Sequence, residues 1–138
     1  IDVADVLSFH EVMLARFGGL PGVRDAALLD SAVNRPRQLF AYGKPDVFAL
    51  AAAVADGIVR NHPFLDGNKR AGFMAAYVFL GANGHEIEAA EEDVVVRTLA
   101  LAAGAIGAAE YARWLRGATA RPPAAAGAKT ARKPRPRA

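Results

Sequence analysis

The chain has 138 residues, of which 53% are apolar and none is cysteine. This is enough for one domain with a packed core, and it argues against global disorder, against thiol or disulfide chemistry and, because no run of about 18 apolar residues occurs, against a membrane span. The net charge of +3 is uneven: residues 1–116 carry 11 basic and 14 acidic side chains, giving −3, whereas residues 117–138 carry six basic and no acidic ones, giving +6.

The first third of the sequence predicts two helices. Residues on one helical stripe recur in the first segment, namely Val3, Val6, Leu7, His10, Leu14 and Phe17. The glycine-rich run 18–22 ends this helix. Asp25 is predicted to cap a short second helix to about Asn34, and Pro36 is predicted to end it.

The middle of the sequence predicts two longer helices joined by a loop. Asp46 caps the first of them, and its apolar stripe ends at His62. The proline after His62 disfavours helical backbone there, so residues 62–67 are expected to form a loop. Asn68 is predicted to be the N-cap of the next helix, which runs to about residue 83. That helix is apolar on nearly every side, and we expect it to be the central buried helix.

The last part of the sequence predicts two more helices, over about residues 90–103 and 108–116. Residues 85–88 are expected to be briefly extended. Because no alternating pattern of useful length occurs, the predicted class is all-α, with one domain over residues 1–116.

The first residues of the sequence do not resemble a signal peptide. Asp2 and Asp5 lie where a signal peptide carries basic residues, and with cysteine absent we expect a cytoplasmic protein. Residues 117–138 are rich in Ala, Pro, Arg and Lys without apolar periodicity, so we expect a disordered tail. A solvated appendage is the simplest interpretation, and weak contact with nucleic acid or an acidic surface is the alternative.

Residues 62–70 carry the chemistry of the chain. His62 can transfer protons near neutral pH, and the Asp66 carboxylate suits Mg²⁺. Gly67 lets backbone approach a ligand closely. From these residues alone, a solvated turn remains the alternative to a functional site.

The start of the following helix predicts an anion site. Asn68 opens a helix whose first N–H groups have no intrahelical partner, at the positive end of the helix dipole. Lys69 and Arg70 add two positive charges, and arginine can hold phosphate oxygens with two hydrogen bonds. Base, metal carboxylate and anion site together are what phosphoryl or nucleotidyl transfer requires. Outside this region, His10 is expected to be a packed histidine.

The run HPFLDGNKR at residues 62–70 resembles the HxFx(D/E)(G/A)N(G/K)R motif of the Fic/Doc family. Residues 16–25 and 31–36 look like the Doc ("death on curing") branch of that family, and residues 79–84 fit as well. The resemblance covers about residues 1–116 and leaves the tail outside.

The resemblance implies the all-helical Fic fold, in which the motif loop joins two core helices. By this similarity, His62 is the general base for a target hydroxyl, and Asp66 holds Mg²⁺ or orients the reacting groups. Asn68 and Arg70 bind the phosphates of ATP.

Lys69 indicates the branch. Adenylylating Fic enzymes usually have glycine there and a second arginine soon after, but here residues 71–73 are Ala-Gly-Phe. A long cationic side chain should crowd the usual α-phosphate pocket. The resemblance therefore implies a protein kinase that transfers the γ-phosphate to elongation factor Tu and arrests translation. Gly67 departs from the Doc motif, which usually has alanine at that position.

The resemblance also concerns inhibition. Many Fic proteins carry an inhibitory helix with the pattern [S/T]xxxE[G/N]. This chain has five Ser and Thr residues, and none of them is followed by the rest of that pattern. This implies a separate Phd-like antitoxin, with a segment that binds a hydrophobic groove of the toxin. Two alternatives stay open: a Fic-type nucleotidyltransferase (AMPylation) acting on a protein, and a catalytically silent binding protein with a basic tail.

Overall fold

A computed structural model describes residues 1–120, and these residues form six helices. The helices are α1 (Val3–Phe17), α2 (Ala26–Ala41), α3 (Val47–Asn61), α4 (Asn68–Ala82), α5 (Glu91–Ala103) and α6 (Ala108–Ala118). No strand is formed within residues 1–120, so the predicted all-α class is confirmed. In the same part of the chain, no helix is both long enough and apolar enough to cross a membrane.

Asp25 and Asp46 begin α2 and α3, as predicted. Their carboxylates accept hydrogen bonds from the N–H groups of Leu28 and Ala49, at 3.0 and 2.8 Å. Each bond satisfies one of the N–H groups that a helix leaves unpaired in its first turn, which typically stabilises a protein by about 1 kcal/mol.

The end of α2 differs from the prediction, because the helix continues through Pro36 to Ala41. A proline inside a helix removes one N–H bond, and its ring crowds the carbonyl four residues earlier, at Ala32. Packing against α3 offsets this cost. The buried face of α2 consists of Leu29, Ala32, Val33 and Pro36. The absence of a side chain at Gly57 of α3 permits the contact, since a Cβ there would lie 2.8 Å from the Ala32 Cβ.

The central helix is α3, and the prediction that α4 is the central buried helix was wrong. α3 contacts α2, α4, α5 and α6. Its buried residues are Ala51, Ala52, Ala53, Val54, Ala55, Gly57, Ile58 and Val59. α4 buries a face of mostly small residues and exposes Lys69, Arg70 and Tyr77. The prediction rested on the apolar residues around α4, whereas the small side chains of α3 let that helix pack closely among its neighbours.

The C-terminal part confirms the predicted extended segment and helices. Residues 118–120 pair with residues 86–88 through an antiparallel bridge between Ile87 and Thr119. α6 is two residues longer than predicted, so the folded part includes the first residues assigned to the tail. The remainder of the predicted tail, residues 121–138, lies outside the described residues.

Candidate active site

Residues 62–67 form the loop between α3 and α4, and the buried Asn68 side chain is hydrogen-bonded to the backbone of this loop. The predicted N-cap at Asn68 was wrong, because Gly67 holds that position in left-handed backbone (φ 76°) and Asn68 is the first helical residue. The Asn68 carboxamide accepts a hydrogen bond from the Phe64 N–H and donates one to the Phe64 carbonyl, both at 3.0 Å. Asn68 is only 7% exposed. Its side chain is therefore a structural support of the loop.

His62 ends α3 on the solvent-exposed side of the loop. Its backbone is left-handed, with φ 52° and ψ 57°, and no other non-glycine residue within 1–120 has positive φ. Its ring Nδ1 lies 3.4 Å from the Asn68 amide nitrogen. That nitrogen can only donate, so the contact favours the neutral tautomer with its hydrogen on Nε2. A contact of this length is weak, and the ring can exchange tautomers at small cost.

Two backbone N–H groups fix the exposed Asp66 carboxylate. Its Oδ2 accepts from Leu20 at 3.1 Å, and its Oδ1 accepts from Gly67 at 2.9 Å. These bonds, with that from Leu20 the stronger influence, hold the pKa of Asp66 below its usual value. The carboxylate is thus ionised at neutral pH.

The Asp66 carboxylate suits a Mg²⁺ ion whose other ligands include the phosphates of a bound nucleotide. Within residues 1–120, no group of three or more His, Asp or Glu side chains could hold a metal. Mg²⁺ in phosphoryl-transfer sites is typically bound by one or two carboxylates, with water and substrate phosphates as its other ligands. A single ionised carboxylate beside an anion site matches this arrangement.

The first turn of α4 is open to an anion. No side chain caps it, and in any helix the first N–H groups lack intrahelical partners. Lys69 and Arg70 are both exposed here. The Arg70 guanidinium lies over the Phe17 ring, 4.5 Å from its centroid, which restrains a flexible cation near the helix terminus.

The buried His10 of α1 contacts two residues of the motif loop, Phe64 and Asp66. It is 4% exposed, and its Nε2 lies 2.8 Å from the Asp66 carbonyl oxygen. Its ring stacks on Phe64, with centroids 3.7 Å apart and planes 12° from parallel. The prediction of a packed histidine is confirmed, but its contact with the motif loop was missed. Helical periodicity places a residue on a face and does not identify its distant partner.

The segment 19–25 holds the loop from the side. Leu65 donates its N–H to the Gly22 carbonyl at 3.1 Å, and Val23 forms an antiparallel bridge with Phe64. A Cβ on Gly19 would lie 2.9 Å from the Asp66 Oδ2, and φ at Gly19 is 127°, so this close approach requires glycine. From the sequence alone, these glycines indicate only the end of a helix and part of a family pattern.

Comparison with known proteins agrees with the geometry. The model of the Fic/DOC family matches residues 1–80, which include α1, the segment 19–25, the loop and most of α4. The chain belongs to the Fic/DOC family. It is 43% identical over 97 residues to "Toxin Doc" of Mycolicibacterium smegmatis, covering 68% of this chain and 71% of that protein. It is 30% identical over 117 residues to "Protein kinase doc" of Escherichia phage P1, covering 84% and 92%. These relatives place it on the Doc branch.

The structure brings together all the residues predicted for the Fic/DOC site. His62, Asp66 and Gly67 lie in the loop, and Asn68, Lys69 and Arg70 form the first turn of α4. One of them differs in detail from the prediction. Because the Asn68 carboxamide is engaged with Phe64, its backbone N–H is the group left for an anion.

Proposed function

We propose that this Doc-like toxin is a protein kinase that transfers the γ-phosphate of ATP to a hydroxyl group of another protein. The observation that carries the proposal is the juxtaposition of an uncapped helix N-terminus, flanked by Lys69 and Arg70, with an ionised carboxylate and an exposed histidine. A relative that matches most of the chain is itself named a protein kinase.

The anion site would receive the phosphates of ATP. The unpaired N–H groups of residues 68–70 point along the helix dipole, and the two cations add charge to the same place. Asp66 is the residue that would hold Mg²⁺, which neutralises phosphate charge when bound. Positioning and electrostatic stabilisation supply most of the catalysis in such a transfer.

His62 would act as the general base. It takes the proton from the target hydroxyl at Nε2, once the ring hydrogen has moved to Nδ1 and the long contact with Asn68 has been given up. The hydroxyl oxygen then bonds to the γ-phosphorus, and the bond from that phosphorus to the oxygen bridging to the β-phosphate breaks. ADP leaves with that oxygen, and the proton on His62 passes to water.

The target and the inhibitor belong to the same proposal. By resemblance to the Doc branch, the hydroxyl belongs to a translation factor, elongation factor Tu, whose phosphorylation arrests translation in the bacterial cytoplasm. A Phd-like antitoxin would bind the toxin and suppress this activity. Similarity to a protein named "Toxin Doc" supports the assignment of a toxin and, with it, of an antitoxin.

Nucleotidyl transfer is the second candidate, since Gly67 is the residue that adenylylating Fic proteins commonly have there. Labelled ATP distinguishes the two reactions. We expect purified elongation factor Tu to acquire label from ATP labelled at the γ-phosphate and none from ATP labelled at the α-phosphate. His62→Ala should lower the rate by about 100-fold or more, in line with the loss of a general base.

The other outcomes have definite meanings. Label from the α-phosphate would replace the kinase with a nucleotidyltransferase. Absence of label from both nucleotides, in a whole translation extract as well as with the purified factor, would favour the catalytically silent binding protein. Toxicity in cells that survives His62→Ala would point the same way.

A further inference from the structure

Arg24 donates hydrogen bonds to three consecutive carbonyl groups at the end of α3. Its Nε donates to the His62 oxygen and its Nη2 to the Asn61 oxygen, both at 2.7 Å. Its backbone N–H donates to the Pro63 oxygen, also at 2.7 Å. A guanidinium at this place also complements the negative end of the helix dipole.

These bonds determine the backbone of His62. The Asn61 carbonyl belongs to the peptide plane before His62, and the His62 carbonyl belongs to the plane after it. The angles φ and ψ of a residue describe how its two flanking planes are turned about its Cα. A rigid guanidinium that holds both oxygens therefore restrains φ and ψ together, in the left-handed region that residues with a Cβ rarely adopt.

We infer that Arg24 is the positioning residue for the general base, acting by locking His62 in left-handed backbone so that its ring faces the site. The inference rests on the proposed function for its catalytic consequence. Both guanidinium bonds are exposed to solvent, so each alone is weak. They act together because they come from one planar group whose own backbone is bonded to the same segment.

The two guanidinium bonds from Arg24 to the Asn61 and His62 oxygens, called the clamp from here on, predict a selective effect. The phosphate-binding side of the loop is held by other contacts. Asp66 is fixed by Leu20, Gly67 and His10. Loss of the guanidinium should therefore misplace the base and leave the anion site intact. We expect Arg24→Met to lower kcat about 100-fold, the usual effect of a displacement near 1 Å, while the KM for ATP changes by less than about threefold.

Two variants sharpen the comparison. Arg24→Lys keeps the positive charge at the end of α3 and thereby protects the fold, but a single ammonium cannot hold two carbonyl planes at once. We expect its kcat to stay at least about 10-fold below that of the wild type. Arg37→Met is the matched control, since it removes an exposed arginine whose contact is the Asn34 side chain of the same helix.

An experiment independent of activity tests the clamp itself. The Cα and Cβ chemical shifts of His62, measured by NMR on isotope-labelled full-length protein, report its φ and ψ. They should indicate left-handed backbone in the wild type and in Arg37→Met, and they should leave that range in Arg24→Met and Arg24→Lys.

Unchanged His62 shifts in both Arg24 variants would overturn the inference, as would a kcat for Arg24→Met within about threefold of the wild type. If the wild type transfers no phosphate, the proposed function fails and the NMR comparison alone decides whether the clamp exists.

Discussion

His10 lies beneath the motif loop, where its Nε2 donates to the Asp66 carbonyl and its ring stacks on Phe64. His10→Leu removes the donor and leaves that carbonyl without its partner. We expect the free energy of unfolding to fall by about 1 kcal/mol, the usual contribution of one hydrogen bond, because water can reach the exposed Asp66 residue. The KM for ATP should also rise, because the Asp66–Gly67 peptide leads directly into the anion site. Urea denaturation and initial rates at varied ATP measure the two effects.

His10→Gln separates the hydrogen bond from the aromatic stack. A glutamine amide nitrogen reaches close to the position of Nε2, so this variant keeps the donor and loses the ring. We expect it to recover most of the ATP affinity that His10→Leu loses. If both variants have the same KM and the same denaturation midpoint, stacking on Phe64 rather than the hydrogen bond is what His10 contributes.

At the scale of helices, the contact between α2 and α3 depends on Gly57. A Cβ there would lie 2.8 Å from the Ala32 Cβ and 3.0 Å from the Ala32 Cα. Glycine to alanine in a helix interior normally stabilises by about 1 kcal/mol. We expect Gly57→Ala to destabilise instead, by about 1–3 kcal/mol, because the helices must move apart. Chemical denaturation measures the change.

Gly81 of α4 provides the control for that prediction. It is exposed, and a Cβ there would meet nothing within 4 Å. Gly81→Ala should therefore stabilise by about 0.5–1 kcal/mol through helix propensity alone. Stabilisation by both substitutions would mean that α2 and α3 pack less closely than the structure has them.

Contacts between helices, such as that of α2 with α3, separate the features that the sequence predicts correctly from those that it does not. Local signals were sufficient for the caps at Asp25 and Asp46 and for the number of helices, because a cap bonds to residues within its own first turn. They were insufficient at Pro36, where burial against another helix outweighs a local helix-breaking signal. They also misjudged which helix is central, since an alanine-rich helix gains burial only from neighbours that the sequence does not identify.

The site shows the same division. The motif residues could be recognised because they are contiguous, and in the structure they lie where α3 ends and α4 begins. The residues that hold the motif loop in place could not be recognised from the sequence. His10 and Arg24 are separated from their partners in the loop by 56 and 38 residues along the chain. Asn68 lay within the motif, yet its bonds to Phe64 depend on the folded shape of the loop.

At the scale of the whole molecule, the two parts of the chain carry opposite charge, −3 over residues 1–116 and +6 over residues 117–138. Every residue that the proposed reaction uses lies in residues 10–70, and the family match ends at residue 80. We therefore expect a chain ending at residue 120 to keep the kcat and the KM for ATP of the full chain. Phosphate transfer measured with both proteins, at equal concentration, tests this.

The basic residues after position 120 should instead affect binding to polyanions. Retention on immobilised heparin, and its loss as salt rises, should be stronger for the full chain than for the shortened one, because displaced counterions scale with the number of cations in contact. If removing residues 121–138 abolishes phosphate transfer while the shortened chain still unfolds cooperatively at the same urea concentration, the reaction requires the tail. The assignment of catalysis to the helical domain alone would then be wrong.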